Sequence, residues 1–225
     1  MTGLAITGAP AALHAPDGFF ALWVSLIGYV LAGGVIAYAV WQTNRSLNER
    51  MVPLMGVMAA FIFAAQMINF PVFGGTSGHL VGGALAAILL GPWAGILVVS
   101  AVVAVQALVF QDGGLVVLGL NVVNMAIVSC LVGYGVYKIS AGFGNTSGAL
   151  LARGMAAAFV SVEAAAIAAT IQLVLSGTSP LGVALPAMVG VHALIGIGEG
   201  LITVGALAFV RAARPDLLKI VAQRA

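Results

Sequence analysis

Apolar residues come in long, almost uncharged runs, and this limits the possible folds more than any other feature of the chain. Between residues 20 and 211 most of these runs approach the ~20 residues that a helix needs to cross a bilayer. Of 225 residues, 62% are hydrophobic and only 6% are charged, against about 25% charged in soluble domains. Thirty glycines suit the same reading, because small residues let membrane helices approach closely. The sequence therefore predicts an all-α, polytopic membrane protein with about seven transmembrane helices. Cys130 lies inside an apolar run and has no cysteine partner, which excludes an internal disulfide. The few basic residues are scattered, and nothing in their placement suggests a nucleic-acid partner.

In chain order, residues 1–19 form an outer lead that ends in the turn His14-Ala15-Pro16-Asp17-Gly18-Phe19. The lead lacks a basic start and is broken by Gly8 and Pro10, so it makes a poor signal peptide, although Ala9-Pro10-Ala11 has the look of a cleavage site. Spans are predicted near 20–42, 53–70, 79–90, 93–110, 116–138, 150–175 and 185–211, with a tail over 212–225. The break at Gly91-Pro92 divides the third from the fourth, because proline ends or kinks a helix. The third helix covers ~18 Å at 1.5 Å per residue and is bent or only partly crosses. Basic residues collect on the cytoplasmic side. Seven spans with the N-terminus outside place Arg45, Arg50, Lys138, Arg153, Arg211, Arg214, Lys219 and Arg224 inside. Joining 79–110 into one span would move Lys138 and Arg153 out. Gly28 with Ala32, and Gly33 with Ala37, are small pairs suited either to docking a partner helix or to internal packing.

This topology puts His14, Asp17, His79 and Asp112 on the outer face, where a solute would arrive. Within Asn69–Gly83, Gly74-Gly75 breaks the helix pattern. Thr76 or Ser77 is placed to cap the next helix, which sets His79 in a first turn whose dipole favours neutral imidazole. A neutral imidazole can ligate a metal; the competing reading is an exposed polar residue at a helix end. No P-loop is present, and Gly196–Gly200 lies in a span with no strand before it, which excludes the nucleotide motifs it faintly resembles. There is no zinc-type histidine motif. Asn145-Thr146-Ser147 fits a glycosylation sequon but falls in a loop predicted cytoplasmic. Asn121 and Asn124 either bond between helices or line a solute site. Glu163, His192 and Glu199 lie within spans, as an ion or proton relay or as groups bonded between helices.

Three stretches together resemble one family: His14-Ala-Pro-Asp-Gly-Phe19; Asn69-x-Pro-x-x-Gly-Gly-Thr-Ser-Gly-His79-Leu-Val-Gly-Gly-Ala84; and Gln111-Asp-Gly-Gly114 with Leu118-Gly-x-Asn121-x-x-Asn-Met-Ala-Ile127. They are similar to the cobalt/nickel substrate-capturing S components of energy-coupling-factor transporters, the CbiM/NikM family, over residues 13–211. The resemblance implies seven spans with an outer N-terminus and capture of Ni²⁺ or Co²⁺ as the transported substrate. It also implies work in the cell membrane with a transmembrane coupling subunit and ATPase subunits. No nucleophile, acid and base converge in the sequence, so no enzymatic activity is expected. The resemblance further implies a square-planar nitrogen site, built from a terminal amine, the second residue's amide and imidazole, and the glycine-loop imidazole. The last corresponds to His79 and the second-position histidine to His14. A terminal amine beside His14 requires a cut before Leu13; an uncut chain would complete the site with Asp17, water or a backbone carbonyl. Asn69 and Asn121 are further candidates. The rival expectation is a self-contained, proton-coupled metal transporter using Glu163, His192 and Glu199.

Overall fold

The computed structural model describes residues 14–215 except 48, 50, 68, 73–75 and 145. The expectations for the lead up to Leu13, for Gly74-Gly75 and for most of the tail lie outside the described residues. Among the described residues, seven helices and one hairpin follow in order. They are α1 (Leu22–Ser46), α2 (Met51–Gln66), strands β1 (Asn69–Val72) and β2 (Thr76–His79), α3 (Gly83–Leu90) and α4 (Pro92–Val109). Then come α5 (Leu118–Gly142), α6 (Ser147–Leu175) and α7 (Leu181–Ala213). α5 loosens into a π-helical stretch over Val123–Val128. Helices α1, α4, α5, α6 and α7 are long and apolar enough to cross a membrane. The chain is thus a nearly all-helical, multi-pass membrane protein.

Two sequence expectations change here. The second helix ends at Gln66 rather than 70, and Asn69 opens a strand. Pro71 explains the stop: it has no N–H to donate and drives Phe70 into an extended backbone. Thr76 and Ser77 do not cap a helix, and His79 does not begin one. Both belong with His79 to β2, paired antiparallel with β1 so that Asn69 faces His79 and Val72 faces Thr76. Helix α3 starts only after Gly82, whose φ of 78° is left-handed and suits glycine.

Helix α3 has eight residues, all of them buried, and at ~12 Å it is too short to cross a bilayer. It is an apolar plug inside the bundle rather than a lipid-facing span. It lies tightly against α5, where a Cβ on Gly133 would meet Ala84 Cβ at 2.6 Å. The Gly91-Pro92 break behaves as predicted, with Pro92 in the first turn of α4. In α1, Gly28 and Ala32 are buried, and a Cβ on Gly28 would strike Leu120 at 2.5 Å. Gly33 and Ala37 face outward, together with Leu22, Leu26, Val30 and other apolar side chains of the same helix.

The N-terminal turn is bound to one end of the bundle. Gly114 N–H donates to Ala15 O at 3.0 Å, and Thr178 Oγ1 donates to Phe19 O at 2.5 Å. Tyr29 Oη donates to Leu115 O. Residues 14–20, the α4–α5 loop and the α6–α7 turn therefore share that end. Among the described basic residues, Arg45 and Arg211 stand in the last turns of α1 and α7, which both start there. Lys138 closes α5, and Arg153 donates to Tyr137 O at 2.8 Å. These four cations gather at the opposite end. A topology reporter inserted in the α5–α6 loop at Gly144 is expected to read cytoplasmic, because cationic loops are retained there. An external signal would reverse the orientation.

Candidate metal centre

Folding brings His14 and His79 together. Their ring centroids lie 4.6 Å apart with the planes at 64°. His14 is buried, at 3% exposure, and a loop shaped around it holds it in place. Its backbone N–H donates to Asp112 Oδ1 at 3.2 Å, and its Nδ1 lies 3.2 Å from Asp112 Oδ2. Asn121 Nδ2 donates to Ala15 O at 3.2 Å. Gly113 makes the approach possible: it adopts φ 95°, and a Cβ there would stand 2.8 Å from His14 Cβ and 3.1 Å from Asn121 Nδ2.

His79 closes β2 beside this loop. Its Nδ1–H donates to Leu80 O at 2.8 Å, which leaves Nε2 with the lone pair. Removal of the ring from water, reinforced by the charge of neighbouring His14, pulls its pKa down to about 4. Burial thus keeps this imidazole neutral, in place of the helix dipole expected from the sequence. Neither ring nitrogen of His14 makes a hydrogen bond among the described residues, despite the cost of burying an unsatisfied polar group. The arrangement is two imidazoles in contact, with nitrogens open to a cation of borderline softness. No three His, Cys, Asp or Glu side chains among the described residues are grouped to hold an ion by themselves.

The other expected site residues fall into different places. Asp17 is directed elsewhere: its Oδ1 accepts from Val116 and Val117 N–H at 2.9 and 3.3 Å, tying the turn to the start of α5. Asn121 borders His14 through Ala15. Asn69 pairs with His79 across the hairpin, and Leu13 lies outside the described residues. Asn124 exchanges two hydrogen bonds with Gln172, at 2.8 and 2.7 Å, so it joins α5 to α6. His192 bonds Met188 O in its own helix. No hydrogen bond links Glu163, His192 and Glu199 among the described residues.

Glu199 has a partner that the sequence did not reveal. Its two oxygens accept from Val81 N–H at 2.6 Å and Gly82 N–H at 2.7 Å, just beyond His79. Val81 and Glu199 are 118 positions apart, and no local pattern announces such a bond. The available signal was weaker: a carboxyl buried within a span needs donors, and Val81-Gly82 lies where the backbone leaves regular structure.

The model of the family described as the cobalt uptake substrate-specific transmembrane region matches residues 14–217. A putative fused nickel transport protein of Archaeoglobus fulgidus is 44% identical over 209 residues, covering 92% of this chain and 68% of that one. The cobalt transport protein CbiM of Sorangium cellulosum is 36% identical over 212 residues, covering 90% and 91%. A solved structure described as a transition metal transporter aligns with a TM-score of 0.81 and 31% identity, covering 88% of this chain and 92% of that one. The family match begins at the buried His14 and takes in the hairpin, the plug helix and all the long spans. This chain belongs to the CbiM family of cobalt uptake substrate-specific transmembrane regions.

Proposed function

We propose that this protein is the substrate-capturing membrane subunit of an ATP-driven energy-coupling-factor uptake system for Ni²⁺ or Co²⁺. His14 and His79 are its metal ligands. The observation that carries this reading is the contact between two imidazoles from distant segments, one of them buried with no ring hydrogen bond among the described residues. The names of the relatives, which refer to nickel and cobalt transport, support the choice of ion.

Capture follows from the properties of the two rings. An ion arriving at the outer end exchanges water for imidazole nitrogens of His14 and His79. Asp112, next to His14, adds a negative charge that favours a cation. The remaining positions are filled by backbone nitrogen or oxygen, by water, or by the Leu13 amine if the chain is cut before it. Square-planar nitrogen ligation would favour Ni²⁺. Asp17 is engaged by backbone N–H groups, which argues against it as a ligand. The turn 14–20 covers the site and is fastened by Asp112, Gly114 and Thr178. The sequence holds no P-loop, so the energy for release comes from separate ATPase subunits through a coupling subunit in the same cell membrane. The lack of a hydrogen-bonded path through Glu163, His192 and Glu199 gives the proton-coupled alternative less support.

His79→Ala is expected to weaken Ni²⁺ or Co²⁺ binding by roughly tenfold or more, with helical content unchanged. His14→Ala should act likewise, and the double variant should add little, because both residues serve one site. Unchanged affinity in the His79 variant refutes the assignment. In metal-free protein, an NMR titration should find His79 neutral down to about pH 4, so His79 keeps its ligating form well below the ordinary imidazole range near 6.5. A midpoint near 6.5 would contradict its sheltered position. Vesicles carrying this chain alone should fail to accumulate metal, and adding the coupling and ATPase subunits with ATP should restore uptake. Full uptake by the lone chain, abolished by a proton uncoupler, would favour the alternative.

A further inference from the structure

We propose that Glu199 is a positioning residue for metal capture: from α7, its carboxylate grips the backbone just after His79 and fixes where that imidazole stands. The proposal rests on His79 being a ligand, as argued above, and adds what holds it.

Glu199 is 2% exposed and lies within a membrane-spanning helix, where an unbonded carboxyl is costly. Both of its oxygens are used, by Val81 N–H at 2.6 Å and Gly82 N–H at 2.7 Å. From α2, Gln66 Nε2 donates to Val81 O at 2.8 Å. One short stretch of backbone is therefore held through its donors by α7 and through an acceptor by α2. Only half of this contact is capping of α3. Gly82 is the N-cap, so its N–H is the first free donor of that helix start, whereas Val81 N–H lies one residue ahead of it and is held apart from any helix. Gly82 cannot shift freely either, since a Cβ there would stand 3.0 Å from Ile62 side-chain atoms.

The clamp connects to His79 through a single residue. Leu80 O accepts from His79 Nδ1, and this bond sets both the ring's orientation and which nitrogen is open. Leu80 is joined to Val81, so moving Val81 moves that carbonyl and turns the ring. Partners of this kind orient a metal-binding histidine without touching the ion.

The test uses the full-length protein in lipid nanodiscs. It reads Ni²⁺ affinity by equilibrium titration, the ligand-field absorption of bound Ni²⁺, and thermal unfolding without metal. Glu199→Gln preserves size but sets an NH₂ against one backbone N–H. It is expected to weaken Ni²⁺ binding about tenfold to a hundredfold and to alter the absorption. Helical content should be unchanged and the metal-free unfolding midpoint should stay within a few degrees of wild type. Gln66→Met, which releases the other side of the clamp, should act in the same direction and decides the matter if Glu199→Gln does not fold. Glu163→Gln, on the neighbouring helix, should bind as wild type. Wild-type affinity and absorption in Glu199→Gln would overturn the proposal. So would weaker binding with an unchanged spectrum and an equal loss of metal-free stability, which marks a merely structural role. His79→Ala separates the two failures: if it alone keeps wild-type affinity, the site reading falls; if it loses binding while Glu199→Gln does not, only the clamp falls.

Discussion

A polar group enclosed by a membrane bundle must find a hydrogen-bond partner within the protein, and this constraint organises the region around the two histidines. Glu199 finds Val81 and Gly82; Gln66 finds Val81 from the other side. Asp112 finds the backbone of His14, and Asn121 finds Ala15. In each case the side chain sits in or beside a helix and its partner is the backbone of a segment that is not helical. Irregular backbone near a bilayer carries unpaired N–H and C=O groups, tolerable only where protein or water satisfies them. The buried carboxyls and amides solve two problems at once: their own desolvation and that of the turn and hairpin.

His14 and His79 stand apart from this pattern. His79 turns one nitrogen to Leu80 O and leaves the other open; His14 has no hydrogen bond to either ring nitrogen among the described residues. Two imidazoles in contact, with ring nitrogens not used in hydrogen bonds among the described residues, are the basis of the proposed cation site. The plug helix α3 contributes by position. Buried throughout, it fills the centre of the bundle below the hairpin and gives Val81-Gly82 a rigid continuation. The close glycine contacts along α5 and α1 let the surrounding helices pack near enough to hold it.

Much of this was legible in the sequence, for identifiable reasons. Long apolar runs and the Gly91-Pro92 break gave the helical class and the division between α3 and α4. The placement of the basic residues put both histidines at the same end. What the sequence concealed lies where two local signals compete. Thr76 and Ser77 look like helix caps, and only pairing with Asn69–Val72 makes them a strand; that pairing is non-local, and the short, glycine-rich segments carry little strand propensity. Asp17 looked like a spare ligand because a carboxylate near a histidine suggests one, yet backbone N–H groups a hundred residues on claim it. Glu199 looked like a relay partner of Glu163 and His192 because all three lie within spans. Its actual partners come from another segment, which periodicity within one helix cannot show.

In the proposed site two imidazoles, from His14 and His79, bind one metal ion. X-ray absorption on the Ni²⁺-loaded, full-length protein tests it most directly, because imidazole rings leave a multiple-scattering signature beyond the nearest shell. The expected result is a nitrogen/oxygen shell without sulfur, with two imidazoles in wild type and one in His79→Ala under saturating metal. A shell with no imidazole, or two imidazoles that persist when His79 is removed, would contradict it.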